Sequence, residues 1–80
     1  MAAEHDVIVY STPTCPWCVR AKDYLKNARI EFTEKDVSVD VQAAREMFEI
    51  SRQWGVPVLS IGGNVVVGFD KARIDELLGL

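Results

Sequence analysis

The sequence predicts one α/β domain of element order βαβαββα, in which a single sheet carries helices on both faces. Eighty residues are enough for one small domain. Short, mostly β-branched runs alternate with segments of helical periodicity. A helix-length crossover separates the first two strands, so they must be parallel. Two glycines between the last two strands favour a tight antiparallel hairpin. We expect the first strand inside the sheet and the domain to cover residues 1–80.

The first strand and the first helix flank the only two cysteines. Residues 7–10 form an uninterrupted apolar run, typical of a strand that is covered on both faces. Residues 11–14 break this run, and Pro16 stands where a helix takes its first residue. The predicted inward stripe of the helix consists of Cys18, Ala21, Lys22, Leu25 and Ala28.

The middle of the chain predicts a second strand and a second helix. Ile30 and Phe32 alternate with polar residues, which indicates a strand that ends near Val37. Ser38 or Asp40 can cap the next helix, and Gly55 is expected to end it. The inward face predicted for this helix consists of Ala43, Ala44, Met47, Phe48, Ile50 and Ser51.

The last third of the chain predicts a hairpin followed by a helix. Residues 57–61 and 64–67 have strand character, with Gly62 and Gly63 between them. Asp70 can cap the last helix, and Gly79 can end it. The inward residues predicted for this helix are Ile74, Leu77 and Leu78.

Composition and charge exclude several functional classes. With 49% hydrophobic and 26% charged residues, the chain is typical of an ordinary globular domain. The net charge of −3 comes from 12 acidic and 9 basic residues that are mixed along the chain. This mixture gives no basic patch for nucleic acid. The longest uncharged stretch, residues 54–69, is broken by Pro57 and four glycines, so we expect no membrane span.

The expected redox environment narrows the possible roles of the cysteine pair. The first six residues lack the basic start and apolar stretch of a signal peptide. We therefore expect a cytoplasmic protein, and in the cytoplasm a lasting structural disulfide is rare. A copper-chaperone-like module also carries two cysteines at this spacing, but its βαββαβ order differs from the order here. A metal site needs two further ligands, and the sequence offers only His5, so we expect no bound metal.

The spacing of Cys15 and Cys18 predicts a redox couple. Cys15 stands at a helix start, where free backbone N–H groups and the helix dipole favour an anion. Its thiol should therefore ionise below the usual range, with the amides of Trp17 and Cys18 as donors. Cys18 lies three residues later on the same face, close enough for a disulfide. We expect Cys15 to attack a substrate disulfide and the more buried Cys18 to release the product.

Taken together, the motifs resemble those of glutaredoxins over nearly the whole chain. They are Val7–Ser11, the Cys15-Pro16-Trp17-Cys18 motif with Arg20-Ala21-Lys22, Gly55-Val56-Pro57, Ile61-Gly62-Gly63, and Gly68 with Asp70. The resemblance implies a thioredoxin-like fold with a four-stranded mixed sheet and three helices, and dithiol–disulfide exchange. It also implies a cis Val56-Pro57 bond, although the base rate for X-Pro bonds favours trans. A cis bond would leave the Val56 backbone free to pair with an extended substrate.

The same resemblance supplies the candidate substrate-binding residues. They are Thr14, Pro16, Trp17, Gln53, Val56, Pro57, Gly68, Phe69 and Asp70. Trp17 stands where glutaredoxins more often have Tyr, and Asp70 can hold the amino group of glutathione or simply cap its helix. The partners implied are protein disulfides, with glutathione as reductant or co-substrate and no permanently bound cofactor. We expect a monomer.

Three departures leave the reductant open. Glutaredoxins usually carry a Lys three residues before the first Cys, where this chain has Thr12. Trp54 replaces a polar residue, and only one glycine, Gly68, precedes Asp70 where the family usually has two. Gly68-Phe69 is similar to the Gly-Phe of redoxins that serve ribonucleotide reductase and are recharged by thioredoxin reductase. The remaining alternative is an iron–sulfur carrier in which two chains and glutathione hold the cluster, although Pro16 stiffens the turn that must admit it.

Overall fold

The computed structural model describes residues 6–79 and has the predicted order of elements. The strands are β1 (Val7–Ser11), β2 (Thr33–Asp36), β3 (Val58–Ile61) and β4 (Asn64–Val67), and the helices are α1 (Pro16–Asn27), α2 (Val41–Ser51) and α3 (Lys71–Leu78). They form one sheet of order β2-β1-β3-β4. β1 is parallel to β2 and antiparallel to β3, and β3 and β4 form a hairpin. The mixed sheet and the interior position of β1 confirm the prediction.

The sheet has a buried cluster on each face. Alternate residues of a strand point to opposite faces, so Val7 and Val9 join one cluster and Tyr10 joins the other. The first cluster contains residues of α1 and α3, and the second contains residues of α2. The helix residues buried in these clusters are Ala21, Leu25, Ile74 and Leu78 on one face, and Ala43 and Met47 on the other. Helices on both faces are thereby confirmed.

The second strand begins later than predicted. It starts at Thr33, whereas Ile30 and Phe32 lie in the preceding connection and pack against the first cluster. After α1 the chain turns through Arg29, whose φ is 61°. The Ile30 N–H then donates to the Leu25 carbonyl at 2.9 Å, a bond that closes helix ends of this kind. The alternation of Ile30 and Phe32 therefore reflects burial of a connection and not strand pairing.

The second helix uses one of its two candidate N-caps and ends earlier than predicted. Asp40, and not Ser38, is the N-cap, because its side chain accepts from the Ala43 N–H at 3.0 Å. The helix ends at Ser51 with Arg52 in a left-handed conformation, so Gly55 is not its stop. Ile50 is exposed instead of facing inward.

The C-terminal third follows the prediction closely. Gly62 and Gly63 both have positive φ, 57° and 89°, as a two-residue hairpin turn requires. Asp70 caps α3 through the Arg73 N–H at 3.3 Å, and Gly79 ends it. The third strand begins at Val58 and not at Pro57, since proline has no N–H for the ladder. Within residues 6–79, no helix is long and apolar enough to cross a membrane.

Candidate functional site

Cys15 follows the carboxyl end of the interior strand β1 and lies at the first turn of α1. It is the N-cap residue of that helix, and its sulfur accepts a hydrogen bond from the Cys18 N–H at 3.4 Å. Its own N–H donates to the Thr12 carbonyl at 3.4 Å, which closes the turn after β1. Pro16 fixes the first helical position without removing a needed donor. The local sequence thus places one sulfur beside the free backbone N–H groups at the start of α1.

The surroundings of Cys15 favour its thiolate. Partial burial raises the pKa of Cys15, but three hydrogen bonds outweigh it. They come from the Cys18 thiol and from the backbone amides of Cys18 and Trp17, and the resulting pKa lies below the ordinary value. These are the two amide donors that the sequence predicts. Both cysteines are free thiols, and Cys15 is partly exposed, so the more acidic sulfur is also the accessible one.

Cys18 has the opposite character. Its side chain is 0% exposed, and burial together with the hydrogen bond to Cys15 raises its pKa to about 11. The Thr12 backbone and the Lys22 ammonium act in the other direction without cancelling this effect. Cys18 is therefore a protonated, shielded thiol in the dithiol form, in agreement with the sequence prediction.

A groove of about 270 Å³ contains five of the predicted binding residues. It is lined by Trp17, Val56, Pro57, Gly68 and Phe69. The Val56-Pro57 peptide bond is cis, which confirms that part of the prediction. The Cys15 thiol donates to the Val56 carbonyl at 3.8 Å, so this sulfur lies at the groove. The Gly68 N–H donates to the Pro57 carbonyl at 2.8 Å and joins two walls of the groove.

Two aromatic side chains form the walls of the groove. Trp17 is 55% exposed, and the Arg20 guanidinium lies 5.0 Å from the centre of its ring. Phe69 packs edge-on against Tyr24 at 5.7 Å between ring centres. Tyr24 in turn donates to Asp75 of α3. The Phe69 wall is consequently supported by contacts that join α1 to α3, whereas the Trp17 wall is open to solvent.

The remaining candidate residues make other contacts. Thr14 is an exposed turn residue. The Gln53 amide bonds to the Ser51 hydroxyl and to the Gly55 backbone, with the Gly55 N–H at 2.6 Å from its oxygen. Asp70 caps α3. The binding roles of Thr14, Pro16, Gln53 and Asp70 stay predictions, and so do those of the five residues that line the groove.

One polar cluster near the site was not expected from the sequence. The ammonium of Lys22, a residue of the predicted inward stripe, pairs with Glu34 of β2 at 2.7 Å. The buried Ser11 hydroxyl donates to the same Glu34 oxygen at 3.2 Å. Only the pairing of β1 with β2 brings these side chains together, and no local pattern announces it.

A second hollow lies apart from the two cysteines. A surface hollow of about 470 Å³ follows α2 and is lined by Val41, Gln42, Arg45, Glu46 and Glu49, without a cysteine. His5 lies outside the described residues. Within residues 6–79, no three metal-ligating side chains of the His, Cys, Asp or Glu type cluster together.

The fold and the paired thiols define a thioredoxin-like domain with a thiol-redox site. The glutaredoxin family model matches residues 7–66, and the chain belongs to the glutaredoxin family. It is 51% identical over 70 residues to an uncharacterized glutaredoxin-like 8.6 kDa protein from the rubredoxin operon of Clostridium pasteurianum, covering 88% of this chain and 93% of that one.

Two further relatives agree with this assignment. Glutaredoxin 1 of Rickettsia conorii is 33% identical, over 92% of this chain and 81% of its own. The solved thioredoxin-like protein BC3987 superposes with a TM-score of 0.86 at 33% identity, covering 91% of this chain and 100% of its own. Glutaredoxins act on disulfide or glutathione-linked substrates, and the function of this chain is accordingly a thiol-redox one.

Proposed function

We propose that this chain is a dithiol–disulfide oxidoreductase that reduces protein disulfides or glutathione mixed disulfides. The observation that carries the proposal is the opposite environment of the two sulfurs. Cys15 is accessible and has a lowered pKa, whereas Cys18 is buried with a pKa of about 11. A nucleophile must be ionised and accessible, whereas a resolving thiol should stay protonated until the first step is complete.

The proposed reaction has two displacements. The Cys15 thiolate attacks one sulfur of the substrate disulfide, a mixed disulfide forms, and the other substrate sulfur leaves as a thiolate with the electron pair. Cys18, after losing its proton, attacks the Cys15 sulfur, and the second substrate thiolate leaves. Two electrons thereby pass from the protein dithiol to the substrate. The groove beside Cys15 would hold an extended substrate against the Val56 backbone.

Single serine variants test this division of roles. Cys15→Ser should lose disulfide reduction, whereas Cys18→Ser should still react once and accumulate a mixed disulfide. Both variants are offered a peptide disulfide, and the adducts are identified by mass spectrometry, with the wild type as the control that turns over. Trapping on Cys15→Ser with none on Cys18→Ser would reverse the assignment.

The electron donor is the open part of the function, and the groove favours weak use of glutathione. Glutathione carries two carboxylates, and a carboxylate needs a cation or hydrogen-bond donors when it leaves water. The lining residues include no cation, and Lys22 is paired with Glu34. Arg20, held over Trp17 at the solvent side, can offer an exposed contact. Recharging by thioredoxin reductase is therefore the second candidate.

A direct comparison of reductants decides between the two donors. The oxidised protein is offered glutathione with glutathione reductase, or thioredoxin reductase alone, and NADPH oxidation is followed in each case. We expect glutathione to reduce the protein only at high concentration. The rate should not saturate at the glutathione concentrations that saturate a site with a cation for each carboxylate. Saturation at low glutathione, with no reduction by thioredoxin reductase, would make glutathione the sole donor.

A further inference from the structure

Lys22 is held in place by Glu34, whose carboxylate also accepts a hydrogen bond from Ser11. It lies four residues after Cys18 on α1, and its ammonium is 2.7 Å from a Glu34 oxygen. Its side chain is only 17% exposed. The Ser11 hydroxyl, which is fully buried, donates to the same Glu34 oxygen at 3.2 Å. A lysine that is paired with an anion and shielded from solvent has its ammonium at a defined place.

Lys22 and Cys18 lie on the same face of α1. Side chains four residues apart on a helix are neighbours, with Cβ atoms about 5–6 Å apart. The groups that act on the Cys18 sulfur are the Cys15 sulfur, the Thr12 backbone and the Lys22 ammonium. Glu34 acts from β2, behind Lys22, and the neighbouring Ser11 of β1 carries no charge. Lys22 is the cation in this set.

We propose that Lys22 is a positioning residue for the resolving step, in which its ammonium stabilises the thiolate that Cys18 must become. This inference rests on the proposed function. In that step the S–S bond between Cys15 and the substrate breaks, and an S–S bond between Cys18 and Cys15 forms. The substrate sulfur leaves with the electron pair and takes up, through solvent, the proton that Cys18 has lost.

Glu34 has the opposing role. The Lys22 hydrogen bond lowers the pKa of Glu34, so its carboxylate stays ionised and partly neutralises Lys22. Without the Glu34 charge, the Lys22 ammonium should stabilise a Cys18 thiolate more strongly. Without Lys22, this stabilisation should be lost. The two halves of one ion pair should therefore change the resolving step in opposite directions. A purely structural ion pair would give changes of the same sign.

Rapid mixing with dithiodipyridine separates the two steps. This neutral disulfide releases one thiopyridone when Cys15 attacks and a second when Cys18 resolves the adduct. We expect Lys22→Met to slow the second release about threefold at neutral pH and to move its pH profile about one unit towards alkaline pH. The slowing is smaller than the loss of thiolate because a less acidic thiolate is a better nucleophile. We expect Glu34→Gln to speed the second release and to move the profile towards acid pH.

Controls make each outcome decisive. Lys26→Met removes the same charge one turn further along α1, where the side chain is exposed, and should leave the second release near the wild-type rate. In a Cys15→Ser background, Lys22→Met should also raise the titration midpoint of the Cys18 thiolate absorbance. Changes of the same sign in Lys22→Met and Glu34→Gln, or equal effects of Lys22→Met and Lys26→Met, overturn the inference. Absence of the first release in the wild type would instead refute the proposed function.

Discussion

The hydrogen bond between the two sulfurs gives a direct test of why Cys15 is acidic. Burial raises the pKa of Cys15, and the largest opposing contribution is the hydrogen bond donated by the Cys18 thiol, ahead of the two backbone amides. Cys18→Ser keeps a hydrogen-bond donor at this position, and Cys18→Ala removes it. Both variants lack the Cys18 thiol, so they differ mainly in this one bond.

The size of the effect follows from the exposure of the site. A hydrogen bond of this kind contributes about 0.5–1.5 kcal/mol net, and because Cys15 is partly exposed we take the lower part of this range. One pKa unit corresponds to about 1.36 kcal/mol. The pKa of Cys15 should therefore lie about half a unit higher in Cys18→Ala than in Cys18→Ser.

The rate of alkylation by iodoacetamide, measured against pH, reports the fraction of Cys15 thiolate in each variant. We expect two midpoints that differ by about half a pH unit, both below that of a free thiol. Equal midpoints would refute the contribution of the Cys18 side chain and leave the backbone amides as the cause. Midpoints at the free-thiol value in both variants would refute the electrostatic account of the helix start.

Three further results are expected. Thr12→Lys should strengthen glutathione-dependent turnover about tenfold, the value of one charge-assisted bond, whereas Val39→Lys at an exposed position should not; equal turnover in both contradicts the cation argument. The free energy of unfolding of the dithiol form in urea should fall as the pH rises from about 8.5 towards about 11, because folded Cys18 keeps a proton that the unfolded thiol loses. Cys18→Ala should flatten this dependence, and an unchanged slope would argue against the raised pKa. Asp40→Ala should lower the free energy of unfolding by about 1 kcal/mol, since it removes the cap of α2; no loss of stability would contradict that role.

Local signals account for the parts of the fold that were predicted correctly. The Gly62-Gly63 turn, the Asp70 cap and the Pro16 helix start each depend on neighbours within a few residues. The errors arise where tertiary contacts decide. Ile30 and Phe32 alternate like a strand but pack from a connection, and a left-handed Arg52 ends α2 before Gly55.

Some features of the candidate site could likewise be predicted from the local sequence, and others could not. The order of acidity of Cys15 and Cys18 follows from their positions in one helical turn, and the sequence is sufficient for it. The partner of Lys22 is not local, because it depends on which strand lies alongside α1 and β1. Lys22 pairs with Glu34 of β2, and the pattern around Lys22 does not indicate that partner. Gln53, in contrast, bonds to Ser51 and Gly55, each two residues away.

We expect the Lys22–Glu34 pair to affect both the choice of reductant and the proposed resolving step. A lysine free to reach the groove would offer a carboxylate partner for glutathione, but its charge would then lie further from Cys18. Pairing with Glu34 at 2.7 Å holds the ammonium on the face of α1 that carries Cys18, and the residues that line the groove are apolar. Because Lys22 is inferred to stay on this face when Glu34 is neutral, Glu34→Gln should speed the resolving step and leave the use of glutathione at the wild-type level. Stronger use of glutathione together with slower resolution would show that Lys22 leaves this face without Glu34, which would contradict the inference.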